Sequence, residues 1–172
     1  MPKSYVMSLS PRVLNGEELL QDFELSAKER FYEAQELLAS GYSTGAAYLL
    51  GYVGEMVLKH AVFRFDGARP YDRVRPRLHP TKKWAKVALP SIRFTDFHDL
   101  WFWAHVLRQK RIDRGCALPD ALSQNLMRVV YHLKRAWRVD LRYFGAEVSA
   151  ELAKRSLEDV AWLLKNQAAL WR

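Results

Sequence analysis

At 172 residues with 49% hydrophobic side chains, the chain is long and apolar enough for one domain with a real core, and too short for two large ones. Its 27 Lys and Arg outnumber 19 Asp and Glu, a formal +8 that favours anionic partners in general. The lone Cys116 excludes an intrachain disulfide and suits a reducing compartment. Residues 1–16 hold no apolar run of signal-peptide length, and the longest apolar run, 46–58, is interrupted by Glu55. No segment approaches the roughly 20 residues of a membrane span, so a cytoplasmic protein without membrane contact is expected.

In chain order, a short helix is expected over 17–23, after Asn15 and Gly16. Ser26 and Glu29 then form a capping box ahead of Ala27, Phe31, Ala34 and Leu38, whose spacing predicts an amphipathic helix stopped by Gly41. The stretch 44–65 is apolar nearly all round (Leu49, Leu50, Val53, Met56, Val57, Leu58), which suits a helix in the middle of a bundle. Gly51 and Gly54 would let a neighbouring backbone approach it. Glu55 and Lys59, four apart on that apolar background, make either a surface pair or a partly buried polar network.

Residues 66–94 read as a long Pro-rich loop containing Pro70, Pro76, Pro80 and Pro90. Between Arg64 and Arg93 lie nine Lys and Arg and two Asp, a net +7 that leaves +1 for the other 142 residues. Thr95 caps the next predicted helix, which runs to about residue 111 with Phe97, Leu100, Trp101, Ala104 and Leu107 facing inward. Asp99 falls in its first turn, where the helix dipole favours a carboxylate. Pro119 opens another helix with the stripe Leu122, Leu126, Val129, Val130, Leu133, Trp137 and Leu141. Gly145 breaks that pattern, and Ser149 starts a final helix carrying Ala153, Leu157, Val160, Ala161, Leu164, Ala168 and Trp171 on one side. Four or five amphipathic helices in an all-α, up-and-down bundle follow, in a single domain over 1–172 with a basic loop at about 66–94.

Two basic features stand out. The loop carries Arg69, Arg73, Arg75, Arg77, Lys82, Lys83 and Lys86, with Tyr71, His79 and Trp84 among them. Cations that contact phosphates beside aromatics that stack on unpaired bases suit single-stranded RNA. On the helix after Pro119, Arg128, Tyr131, Arg135, Arg138 and Arg142 advance by three, four, three and four, a ridge opposite the apolar stripe. For both, the plain alternative is a solvated charged surface.

The string over 41–61, with Glu55 followed by Leu58-Lys59, then Phe97-His98-Asp99-Leu100, then Arg142-Tyr143, then the Ala/Leu-rich 149–170, resembles in order the helix signatures of HEPN domains. The resemblance implies a small all-α domain that usually forms a homodimer and acts on or near RNA and nucleotides. Some members are ribonucleases of toxin-antitoxin and defence systems; others partner minimal nucleotidyltransferases or bind without catalysis. Ribonuclease members place an Arg four to six residues before a His, often with a polar residue after the Arg. Arg93 and His98 match that spacing, His98 acting on the ribose 2′-hydroxyl and Arg93 on the phosphate, but Phe94 stands where the polar residue belongs. Arg128 and His132 are one residue too close. His98 and Asp99 can instead join Glu55 and Lys59 in a polar cluster that binds a nucleotide or fixes helix register.

An HD phosphohydrolase would also contain adjacent His and Asp, but His60, His79, His105 and His132 offer no further ligand pattern, so no metal or cofactor is expected. The expectation is thus a noncatalytic HEPN-like binder of RNA or another phosphorylated ligand, with a nucleotidyltransferase as the partner that the resemblance implies. A metal-independent ribonuclease and a dimeric interaction scaffold are the alternatives, the latter drawing on six Trp residues.

Overall fold

The computed structural model describes residues 16–143, 145 and 147–172; the expectation that residues 1–16 hold no signal peptide falls, apart from Gly16, outside them. Six α-helices are present among these residues: α1 Leu20–Ala39, α2 Ser43–Phe65, α3 Arg75–Ala88, α4 Leu100–Asp113, α5 Asp120–Ala136 and α6 Ala150–Trp171. A 3₁₀ turn, Val139–Tyr143, follows α5. The described residues contain no strand beyond an isolated bridge between Leu19 and Arg73. None of these helices is long and apolar enough to cross a membrane.

The count exceeds the expected four to five because the basic segment is not a loop: α3 occupies its middle. Proline permits this at the first turn, where Pro76 forfeits an N–H that would have had no helical partner. Pro80 lies deeper, and beside it the Thr81 hydroxyl donates to the Arg77 carbonyl at 2.8 Å. The two expected N-terminal helices are one. Ser26 sits inside α1, whose start is held by Leu19 N–H donating to Asp22 Oδ2 at 2.8 Å and by Leu20 and Gln21 N–H donating to the Asp72 and Pro70 carbonyls. Gly41 does end it: at φ 84° it closes the turn in which Tyr42 N–H reaches the Leu37 carbonyl and its own N–H reaches that of Leu38.

The central helix is α2. Ala46, Leu50, Val53, Val57, Leu58, Ala61 and Val62 are fully buried, and α1, α4, α5 and α6 all pack on it. Gly51 has a specific reason to lack a side chain, since a Cβ there would fall 2.0 Å from the Trp137 ring. The close approach is thus by an indole, not by the backbone expected. At its C-terminus Asp66 takes Lys110 at 2.9 Å and Arg114 at 3.0 Å, joining the end of α2 to the end of α4.

Two boundaries differ from expectation. The α4 cap is Asp99, whose Oδ1 accepts from Trp101 and Phe102 N–H, while Thr95 only donates its hydroxyl to Asp99. Helix α5 stops at Ala136, where Trp137 turns extended and lies on Gly51. Ser149 caps α6 as expected, accepting from Leu152 N–H. The buried face of α6 is rotated relative to the predicted stripe: Ala153, Ser156, Asp159, Val160, Leu163, Gln167 and Leu170 are inside, whereas Ala161 and Ala168 are exposed.

Candidate functional site

The polar residues of α2 form a network inside the bundle. Glu55 and Lys59 are only 6% and 5% exposed, so their ion pair, Nζ to Oε1 at 2.6 Å, is buried and not a surface pair. The other oxygen of Glu55 accepts from His98 Nδ1 at 2.8 Å. Lys59 also lies 5.4 Å from the Trp103 ring centroid. The carboxylate of Glu55 thus holds Lys59 and His98 at once, and its hydrogen bond raises the His98 imidazole above its ordinary pKa against the opposing effect of burial. Of the four residues expected to cluster, Glu55, Lys59 and His98 meet; Asp99 instead caps α4.

His98 stands between this network and a cleft of about 470 Å³ formed by the start of α4 and the end of α5. Its side chain is 42% exposed, and no described residue bonds Nε2. Lys134, Trp137 and Arg138 line the same cleft. The Trp137 indole, 5% exposed, packs edge-on against Tyr52 and has a buried Nε1 with no hydrogen-bond partner. Lys134 and Trp137 were missing from the expected site because no spacing rule relates the end of α5 to a histidine in another helix; the tertiary fold alone brings them to His98.

Arg93 and His98 are not joined by a hydrogen bond or ring contact among the described residues: Arg93 is exposed, and His98 is engaged by Glu55. The described residues also contain no group of three or more His, Cys, Asp or Glu arranged to hold a metal ion.

The basic segment divides by partner. Arg73 pairs with Glu17 at 2.9 Å, Arg77 with Asp72 at 2.6 Å, and Arg69 with Asp72 at 3.8 Å. Lys82 stacks on Phe94, 4.2 Å from the ring centroid. Arg75, Lys83, Lys86 and Arg93 are exposed and make no ion pair or hydrogen bond through their side chains to any described residue. No acid occurs in the sequence of α3, Arg75–Ala88. Trp84 is not open for base stacking, since it packs against the core with the Lys110 ammonium 4.2 Å from its ring. Tyr71, 73% exposed, is open.

The expected ridge on α5 breaks up because the helix ends at Ala136. Arg128 meets Asp159 of α6 at 3.6 Å, Arg138 meets Asp140 at 3.1 Å, and Arg142 lies in the 3₁₀ turn, 4.7 Å from the Tyr143 ring. Tyr131 and Arg135 remain adjacent and exposed. The acids that answer this ridge are outside the helix, so a reading along α5 alone misses them. Asp159 is itself buried, which raises its pKa despite a 3.1 Å hydrogen bond from His132.

Comparison with protein-family models, with curated proteins and with solved structures gives no significant match to this chain.

Proposed function

We propose that this protein is an RNA-binding helical module whose contact face is the outer surface of α3 with Arg93 and Tyr71 beside it. The observation that carries the reading is the set of uncompensated cations Arg75, Lys83, Lys86 and Arg93, on and next to a helix without a single acid. Cations already answered by carboxylates offer a phosphate little, whereas solvated ones release counterions when they bind it. A rigid helix also presents these charges at lower entropic cost than a loop would. Sequence reading in a duplex groove would require side chains placed against base edges; the mixture of free cations and the exposed Tyr71 fits single strands better. The HEPN resemblance supports the same class of ligand and adds a homodimer, and a nucleotidyltransferase as its partner in a toxin-antitoxin or defence system.

The test is fluorescence anisotropy with a labelled single-stranded RNA over a salt series. The wild-type chain should bind at about 50 mM salt with a steep log-log salt dependence, and Lys83→Glu, Lys86→Glu and Arg93→Glu combined should weaken binding at least about tenfold and flatten that slope. Absence of binding at low salt, or an unaffected triple variant, would sink this reading.

A second reading, metal-independent RNA cleavage by Arg93 and His98, is favoured by one feature: a buried carboxylate holds Nδ1 of His98 and leaves Nε2 open to the cleft. It requires cleavage in the presence of a chelator that disappears in His98→Ala.

A further inference from the structure

The cleft beside His98 has an asymmetry in its hydrogen bonding. Most of its carboxylate oxygens are already engaged. Asp96 Oδ1 takes the His98 N–H at 2.6 Å, and Asp99 takes the N–H groups of Trp101 and Phe102 and the Thr95 hydroxyl. Both oxygens of Asp140 take Arg138, at 3.2 and 3.1 Å.

What is left over is chiefly donor, the second oxygen of Asp96 apart. Lys134 is exposed and has no ion pair or hydrogen bond through its ammonium among the described residues, with the Trp101 ring 5.9 Å away. His98 Nε2 has no partner, and in the imidazolium form it is an N–H. The Trp137 indole N–H, though unpartnered, is fully buried in the cleft wall and is not exposed to an occupant. An occupant that completes this cleft is therefore anionic and rich in acceptors.

We propose that the cleft is a binding site for the terminal phosphate of a phosphomonoester, held by His98 and Lys134. A phosphate monoester offers separate oxygens to both open donors and carries up to two negative charges for the two cationic groups, where a carboxylate carries one. At about 470 Å³ the cleft exceeds a phosphate alone, and its Leu100, Trp137 and Val139 walls leave apolar room for the group that carries it. Glu55 does not touch this ligand. Buried and fixed by Lys59, it positions His98 and favours its cationic form.

The charges that face His98 are Glu55 and Lys59 from α2, Asp96 and Asp99 in its own segment, and Lys134 with the Arg138–Asp140 pair across the cleft. Of these, Glu55 acts most strongly. Binding therefore weakens as pH rises through the elevated pKa of the imidazole.

The phosphate has two possible sources, a free mononucleotide or the end of the strand bound on α3. Only the second rests on the RNA-binding reading. The experiment titrates the whole chain at about pH 6 with adenosine monophosphate and, separately, inorganic phosphate, following the His98 ring signal by NMR and the heat of binding by calorimetry. A saturable shift of the His98 signal is expected, weakened about tenfold by the exposed-site variant Lys134→Met and unchanged by Lys83→Glu with Lys86→Glu. A His98 signal that stays still at millimolar ligand, or a shift that Lys134→Met leaves intact, would overturn the proposal.

Single-stranded RNA with and without a 5′-phosphate separates the sources. A phosphate-dependent gain in affinity that Lys134→Met removes assigns the strand end, and mononucleotide binding without such a gain assigns the free ligand. Failure of RNA binding with retained mononucleotide binding would remove the role of α3 and leave the cleft standing.

Discussion

Helices α2 and α3 treat charge in opposite ways. In the middle of α2 the charges lie inside the bundle and are matched, Glu55 to Lys59 and His98, and just past its end Asp66 is matched to Lys110 and Arg114. In α3 only Thr81 and Ala85 are buried, and Lys83 and Lys86 project from a helix with no acid to answer them. Charge inside a core constrains the fold and is costly to disturb; charge left unmatched outside it contributes little to folding and stays available to a partner. The excess of +8 therefore says less than the distinction between answered and unanswered cations.

The largest break in this contrast is predicted at Glu55. Glu55→Ala strands the Lys59 ammonium in the core and releases His98, and should cost about 3–5 kcal/mol in urea unfolding. The double variant Glu55→Gln with Lys59→Met, which removes both charges, should recover a large part of that loss. If the single variant unfolds like wild type, the network does not constrain the core.

A second buried group sharpens the contrast through pH. Burial pushes the His60 imidazole down to about 4 from 6.5, with the Gln167 amide at 3.1 Å from Nδ1. The unfolded chain then takes up a proton near pH 6.5 that the folded chain refuses, so stability falls as pH drops from 6.5 towards 4, by about 3 kcal/mol at most. His98 has the opposite sign: its raised pKa adds stability at low pH, which is lost as pH rises through that value. Urea midpoints measured across this range should drop on the acid side, and His60→Asn should flatten that limb.

The smallest expected effect belongs to α3. Lys83→Glu with Lys86→Glu should move unfolding by no more than about 0.5 kcal/mol, because neither side chain has an ion-pair or hydrogen-bond partner to lose among the described residues. A larger loss would mean that these lysines serve the fold after all.

Local chemistry made some of the architecture legible from residues alone. Gly41 and Ser149 mark real helix ends, because positive φ and a hydroxyl cap depend on a few neighbours. What failed depended on distant partners. The inner face of α6 includes Ser156, Asp159 and Gln167, polar residues that a hydrophobic pattern assigns to solvent; Asp159 and Gln167 are inside because His132 and His60 bond them from other helices. Helix α3 was concealed by prolines, which mark loops on average but are tolerated near a helix start. Of the candidate site, the Glu55 and Lys59 pair and His98 were recognisable by residue type and spacing, while Lys134 and the unpartnered Trp137 indole depend on how α5 ends.

That ending couples two positions 86 places apart in the chain. With the Trp137 ring 2.0 Å from where a Cβ on residue 51 would sit, neither site can vary alone: any side chain at 51 demands a smaller residue at 137. The pair forms a lock-and-notch that should change by paired substitution. In relatives too diverged for whole-chain comparison, glycine at the first position together with tryptophan at the second would be a traceable mark of common descent.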